Sequence, residues 1–371
     1  MLQDSVARFI ATELLPKAEQ WERERQIDRA SWAKAGQAGL LGASIPEEFG
    51  GSGGTLAHEA VIQHELARAG LAGSFGIAHG IHSAIVAHYI LSYATPAQKE
   101  RWLPDMASGR SVAAIAMTEP GAGSDLQAIR TKAVAEGNGY RLNGQKTFIS
   151  NGQTANLICV VAKTDNAKGT GSMSLLMVEA DKVDGFRRGR NLEKLGLHGQ
   201  DTSELFFDDV FVPADNLLGG EPGQGFGQLM SQLAWERLMI ALNAQTNMER
   251  AVELTIEYVK DRSVFGGRLM DQQNTQFVLA DAKTQAAVGR EFVDALMVRL
   301  LDGELDATTA AMAKLWTTDT AFRVIDGCQQ MFGGYGYMQE YPIARLFADA
   351  RVARIYGGAN EIMKRIIGRS L

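Results

Sequence analysis

The spacing of apolar residues changes twice along this chain, and those two changes constrain its fold more than any other feature. Residues 1–110 place apolar residues at helical spacing, as in Val6, Ile10 and Leu14 and again in Ile62 and Leu66. Thr95-Pro96-Ala97-Gln98 reads as a helix start, since proline fits the first helical position after a threonine cap. Gly50-Gly51-Ser52-Gly53-Gly54 reads as a flexible surface loop between helices. Over residues 111–219 the texture becomes short runs, such as Leu157-Ile158-Cys159-Val160-Val161 and Leu175-Leu176-Met177-Val178. Asn143-Gly144 and Asn151-Gly152 supply the positive φ angles of tight hairpins, so this region reads as antiparallel β structure. No helical stretch alternates with these strands, which argues against a doubly wound nucleotide fold. Helical spacing returns over residues 220–371, with helices expected at 225–260, 271–302, 306–332 and from 360 onward. The expected fold class is a multi-domain α+β chain: an N-terminal helical domain, a middle antiparallel β domain and a C-terminal four-helix bundle.

Composition narrows the function. The 371 residues suffice for two or three domains with a large apolar interior. Thirty-seven Lys and Arg stand against 43 Asp and Glu, a net charge of −6 with no basic stripe, which argues against a nucleic-acid partner. Cys159 and Cys328 lie among hydrophobic neighbours and read as reduced, buried thiols. The N-terminus mixes acidic and basic residues without the apolar core of a secretory signal, and no apolar window is long enough to span a bilayer. A cytoplasmic protein without stable membrane insertion is expected.

Three features invite a chemical reading. Gly121-Ala122-Gly123-Ser124 could let backbone N–H groups approach a phosphate, although it lacks the spacing of a dinucleotide fingerprint and on spacing alone reads first as an ordinary turn. Gly357-Gly358 precedes Asn360, which reads as a helix N-cap. Between Pro222 and Met248 the only charges are Glu236 and Arg237, and on a helix Glu236 shares its face with Leu233, Met239 and Ile240. A carboxylate on such a face loses hydration, which favours its neutral form and suits a general base near neutral pH. The alternative is a structural ion pair with a cation from another helix. His79, His82 and His88 lie close together, but no flanking Cys or paired carboxylate completes a metal site, so no metal is expected.

Six segments together resemble the acyl-CoA dehydrogenase family along nearly the whole chain: Ala116-Met117-Thr118-Glu119-Pro120-Gly121-Ala122-Gly123-Ser124-Asp125, Phe148-Ile149-Ser150-Asn151-Gly152, Asp201 to Val210, Arg262-Ser263-Val264-Phe265-Gly266, Gln330 to Gly336, and Ile355-Tyr356-Gly357-Gly358-Ala359-Asn360-Glu361-Ile362. In this order and spacing they are highly specific. The resemblance implies FAD held between the β domain and the bundle of a homotetramer. It places Met117, Thr118, Phe148 and Ser150 along the flavin ring and Ser124 near the pyrophosphate. Arg262, Phe265, Gln273, Gln330, Gly333 and Gly334 are expected to reach FAD bound mainly by the adjacent subunit. Gly123, Ile149, Ala359, Asn360 and Glu361 complete the expected cofactor set.

The implied reaction converts an acyl-CoA to the trans-2-enoyl-CoA of fatty-acid β-oxidation: a carboxylate takes the α proton while the β hydrogen leaves as hydride to flavin N5. The Gly357 backbone N–H would stabilise the thioester oxygen. Ser124, Arg237, Gly357 and Gly358 are the expected substrate contacts, and an electron-transfer flavoprotein the expected electron acceptor. Many family members carry the catalytic glutamate where this chain has Gly357. The long-chain and isovaleryl-type branches place it at the position matched by Glu236, which makes Glu236 the expected base. Ala359 stands where threonine is more usual, removing a hydroxyl worth about 0.5–1.5 kcal/mol if it was hydrogen-bonded. An acyl-CoA oxidase, a flavin monooxygenase on the same scaffold, and a non-catalytic CoA-ester or flavin-binding paralogue are the alternatives.

Overall fold

Both changes of spacing coincide with changes of secondary structure. The computed structural model describes residues 2–164 and 170–371. By chain range one unit comprises Met1–Ile62, Ser74–Lys194 and His198–Gln232, and a second comprises Gln63–Gly73, Leu195–Leu197 and Leu233–Leu371.

In the first unit the helices precede the sheet. Helix α1 spans Leu56–Arg68, with its last turns in the second unit, and α2 spans Pro96–Ala107. Thr95 caps α2 reciprocally: its hydroxyl accepts from Gln98 N, and the Gln98 side chain accepts from Thr95 N. The strands are β1 (Ala113–Ala116), β2 (Lys132–Glu136), β3 (Gly139–Ser150), β4 (Leu157–Lys163), β5 (Met173–Glu179), β6 (Phe186–Asn191) and β7 (Thr202–Pro213). Antiparallel ladders join β2 to β3, β3 to β7, β7 to β6 and β4 to β5. To these the structure adds a parallel pairing of β1 on β4, from Ala113 opposite Leu157 to Ala116 opposite Val160. Strand β4 is buried on both faces: Cys159 and Val161 join a cluster with Tyr89 and Trp102, while Ile158 and Val160 join one with Leu142 and Leu205. That is why β4 reads as an unbroken apolar run instead of alternating.

Two turn expectations need correction. Asn143-Gly144 does not close a hairpin, because β3 runs straight through it with a bulge, and the β2–β3 turn is Gly137-Asn138. At Gly144 a side chain would strike Thr131, so the glycine serves close packing inside the strand. The Gly50–Gly54 loop is pinned by backbone bonds from Ser52 N to Gly42 O, Gly53 N to Ile45 O and Gly54 N to Ala43 O. Its glycines permit that close winding, since a Cβ on Gly51 would overlap Ile45.

The histidines are absorbed into this packing. His79 Nε2 lies 2.8 Å from Leu40 O, and His88 Nε2 lies 2.9 Å from Ser44 Oγ. His82 uses both nitrogens, meeting Met106 O at 3.1 Å and Ala113 N at 3.0 Å.

The second unit is helical. Its long members are α3 (Gly225–Asp261, whose first turns belong to the other unit), α4 (Gln273–Leu301) and α5 (Ala307–Met331), followed by α6 (Pro342–Ala350) and α7 (Asn360–Arg369). Met248, Ala282, Ile325, Cys328 and Phe332 form its core at helical spacing. Both cysteines are buried and neither forms a disulfide. Among the described residues no helix is long and apolar enough to cross a membrane.

Candidate active site

In the first unit, β1 ends at Ala116 and delivers Met117 and Thr118 to a partly exposed position. Glu119 and Ala122 then exchange both backbone hydrogen bonds at 3.0 Å, closing a tight turn over Pro120-Gly121. A Cβ on Gly121 or Gly123 would meet nothing within 4 Å, and Gly123 and Ser124 are exposed, so their backbone is open to an approaching phosphate.

This strand end is braced from below. The buried Lys146 ammonium donates to Met117 O at 2.9 Å and to Glu119 Oε1 at 2.8 Å. Glu119 also accepts from Arg130 N and Thr131 N. Burial pulls Lys146 down to about 8, against the opposing pull of Glu119. Burial would raise Glu119, but its bonds from Lys146 and Thr131 hold it below the usual carboxylate range. Thr147 N donates to Thr118 O at 2.9 Å, tying the next residue of β3 to the same segment.

Phe148 follows at once, and it is unusual. The β3–β7 register slips between Lys146 and Ile149, and Phe148 sits there at φ +59° with its side chain 67% exposed. A left-handed conformation costs a non-glycine residue about 1–2 kcal/mol, and exposing a phenyl ring forgoes its burial. Strain of this kind persists where surrounding structure enforces it, and it clusters at ligand sites. Ser150 stays partly exposed, whereas Ile149 turns inward and is buried.

In the second unit, Glu236 is 7% exposed on α3 and Arg237 is 5% exposed beside it. Burial lowers the Arg237 pKa and the Glu236 charge opposes that shift. Arg237 Nε is buried without a hydrogen-bond partner among the described residues, which suits an anion contact. One turn beyond Glu236, Ile240 occupies the space where a side chain on residue 357 would begin: a Cβ there collides with Ile240 Cδ1. Gly357 and Gly358 lie at φ +64° and +91°, a bend that side chains strain to adopt. The α3 face carrying Glu236 is therefore the face that packs on this bend.

Asn360 is not the N-cap. Ala359 holds the cap position of α7 and makes no side-chain cap bond. The Asn360 side chain is drawn inward, because the buried Lys314 ammonium donates to its Oδ1 at 2.8 Å and Asp319 and Thr318 accept from its Nδ2. Glu361, next on α7, is exposed.

The remaining candidates lie on the surface of this unit. Arg262 stacks its guanidinium over the Tyr335 ring at 5.6 Å, bringing it beside Gly333 and Gly334. Phe265 crowns a two-stranded ribbon, Ser263–Val264 against Gly267–Arg268, at φ +49° and 99% exposure. Gln273 and Gln330 are exposed as well.

Sequence reasoning passed over Lys146 and Lys314. The signal for Lys314 was available, since it is the only charge between Ala307 and Thr318, just as Glu236 stands nearly alone on α3.

Three family models match this chain: "Acyl-CoA dehydrogenase, N-terminal domain" over residues 1–110, "middle domain" over 114–210 and "C-terminal domain" over 223–371. The mouse mitochondrial long-chain specific acyl-CoA dehydrogenase is 44% identical over 100% of this chain and 86% of that protein. A solved acyl-CoA dehydrogenase from Geobacillus kaustophilus is 47% identical with a TM-score of 0.96, covering 100% of this chain and 97% of that one. A glutaryl-CoA dehydrogenase from Mycobacterium smegmatis, solved in complex with FADH2, is 27% identical with a TM-score of 0.91, covering 100% and 93%.

Proposed function

The chain belongs to the acyl-CoA dehydrogenase family, whose members use FAD, and on that premise we propose that Glu236 is the base that removes the α proton of an acyl-CoA thioester. The product is the trans-2-enoyl-CoA. The observation that carries this reading is the buried Glu236 carboxylate one turn from Ile240, which itself abuts a glycine at the family's other base position.

The chain's own groups divide the work. Glu236 accepts the proton from a buried position on α3 where water is scarce. The Gly357 N–H donates to the thioester oxygen as negative charge gathers there, and it is most effective if its direction is set before the reaction begins. Arg237 holds a positive charge beside the base and contacts the substrate together with Gly358. Bound FAD supplies the acceptor for the hydride that leaves the β carbon.

Met117, Thr118, Phe148, Ile149 and Ser150 hold the flavin, with Gly123 and Ser124 toward its phosphates and Ser124 also toward the substrate. The strained, exposed Phe148 ring supports this assignment, because a flat aromatic cofactor would cover it. Arg262, Phe265, Gln273, Gln330, Gly333, Gly334, Ala359, Asn360 and Glu361 serve FAD from the second unit's sequence, several of them across a homotetramer. The bare Phe265 ring, together with exposed Phe277, Val288 and Val298 on α4, supports burial against another copy. An electron-transfer flavoprotein would be the electron acceptor in this reading. A long acyl chain is the favoured substrate class, supported by the 44% identity to a long-chain specific enzyme.

The test is Glu236→Gln, mixed with acyl-CoA in the absence of oxygen. FAD stays bound and substrate no longer bleaches the flavin, slowing reduction by at least about a thousandfold. Bleaching at the parent rate would reject the assignment.

A further inference from the structure

Lys314 is completely buried on α5, and its ammonium has two acceptors: Gly358 O at 2.8 Å and Asn360 Oδ1 at 2.8 Å. Asn360 Nδ2 donates onward to Thr318 Oγ1 at 3.0 Å and Asp319 Oδ1 at 3.0 Å. Asp319 also accepts from Arg354 Nε at 2.6 Å. The chain is thereby gripped before, within and after the Gly357-Gly358 bend, and every grip leads back to α5.

This bend needs such a grip. Two successive left-handed glycines have no side chains to limit their backbone angles, and their freedom is the largest of any residue pair. A hydrogen-bond donor contributes to catalysis only if it is held within about 0.5 Å of its productive position. We propose that Lys314 is a positioning residue for the reaction: by holding the Gly358 carbonyl and the Asn360 side chain, it fixes the direction of the Gly357 N–H toward the thioester oxygen. This rests on the reading of Gly357 as the oxyanion donor and Glu236 as the base. A buried lysine that merely joined α5 to α7 would need only Asn360; the bond to the Gly358 carbonyl is what ties it to the bend.

The test uses the FAD-loaded enzyme and an acyl-CoA in which sulfur replaces the β carbon. Such a ligand can lose its α proton to the base but cannot give up a hydride, and the ionised ligand beside oxidised flavin absorbs at long wavelength. The pH midpoint of that absorbance reports how well the site stabilises the negative thioester oxygen. In Lys314→Met the midpoint rises by about one pH unit or more, because a misdirected donor forfeits a charge-assisted hydrogen bond. Lys314→Gln, which keeps a donor, falls between Met and the parent. An unchanged midpoint in Lys314→Met overturns the proposal. If that variant does not fold or retain FAD, Thr318→Val removes one support of Asn360 at conserved volume: a smaller rise supports the proposal and no rise overturns it. Glu236→Gln is the control for the underlying reading. It abolishes the absorbance at every pH, and if it instead shows the parent's midpoint, the base assignment fails independently of Lys314.

Discussion

At the scale of single residues, the site is marked by side chains placed where ordinary folding would not put them. Phe148 combines a left-handed backbone with an exposed ring, and both features work against the free protein. Phe148→Gly therefore separates cofactor binding from stability. Without FAD the variant should be at least as stable as the parent in thermal unfolding, since glycine accepts φ +59° without strain. Its FAD affinity, followed by flavin fluorescence, should fall about tenfold with the loss of roughly 1.4 kcal/mol of ring contact. Unchanged affinity would remove Phe148 from the cofactor site. Glu236 stands out in the sequence as a lone acid among apolar residues and Gly357 through resemblance; the structure buries the first and bends the chain at the second. Lys314 was equally alone on its helix, but its acceptors are a backbone carbonyl and an amide some 44 and 46 positions away, which no local pattern reveals.

At the scale of elements, the helices of the first unit bury titratable groups whose demands oppose one another. Glu59 on α1 is fully buried, accepting from Ser44 N and Ser44 Oγ, and burial raises it to about 7 from an ordinary 4.5. Its Oε2 lies 3.8 Å from His79 Nε2 and has no hydrogen bond among the described residues. Burial lowers His79 and His88 to about 4 and His82 to about 3, from an ordinary 6.5. Each histidine stays neutral in the fold while the unfolded chain takes up a proton, so stability falls as pH drops from 6.5 toward 4. Glu59 acts in the opposite sense: its contribution is complete below 4.5 and is lost as pH rises through about 7. Glu59→Gln keeps the acceptor for Ser44 and removes the titration. Relative to the parent, its stability in urea unfolding should rise by about 1.4 kcal/mol per pH unit between pH 5 and 7. A pH-independent difference would contradict this account. The helices and most strands were readable from spacing, but Asn143-Gly144 was misread because an Asn-Gly pair also fits a bulge when a neighbour, here Thr131, crowds the glycine.

At the scale of the whole molecule, the α, β, α order was legible because each segment's apolar period matches the element it forms, and the matching family models follow the same order. The parallel placement of β1 on β4 was not, since it joins segments some 44 positions apart and depends on what covers β4 from both sides. In the proposed mechanism the base stands on α3, and the bend at Gly357 carries no side chain. The most direct measurement is a crystal structure of Glu236→Gln with FAD and an acyl-CoA bound. The account predicts the residue-236 amide within about 3.5 Å of the thioester α carbon and the Gly357 N–H within hydrogen-bonding distance of the thioester oxygen. A residue-236 side chain more than about 6 Å from that carbon and bonded to Arg237 would contradict it.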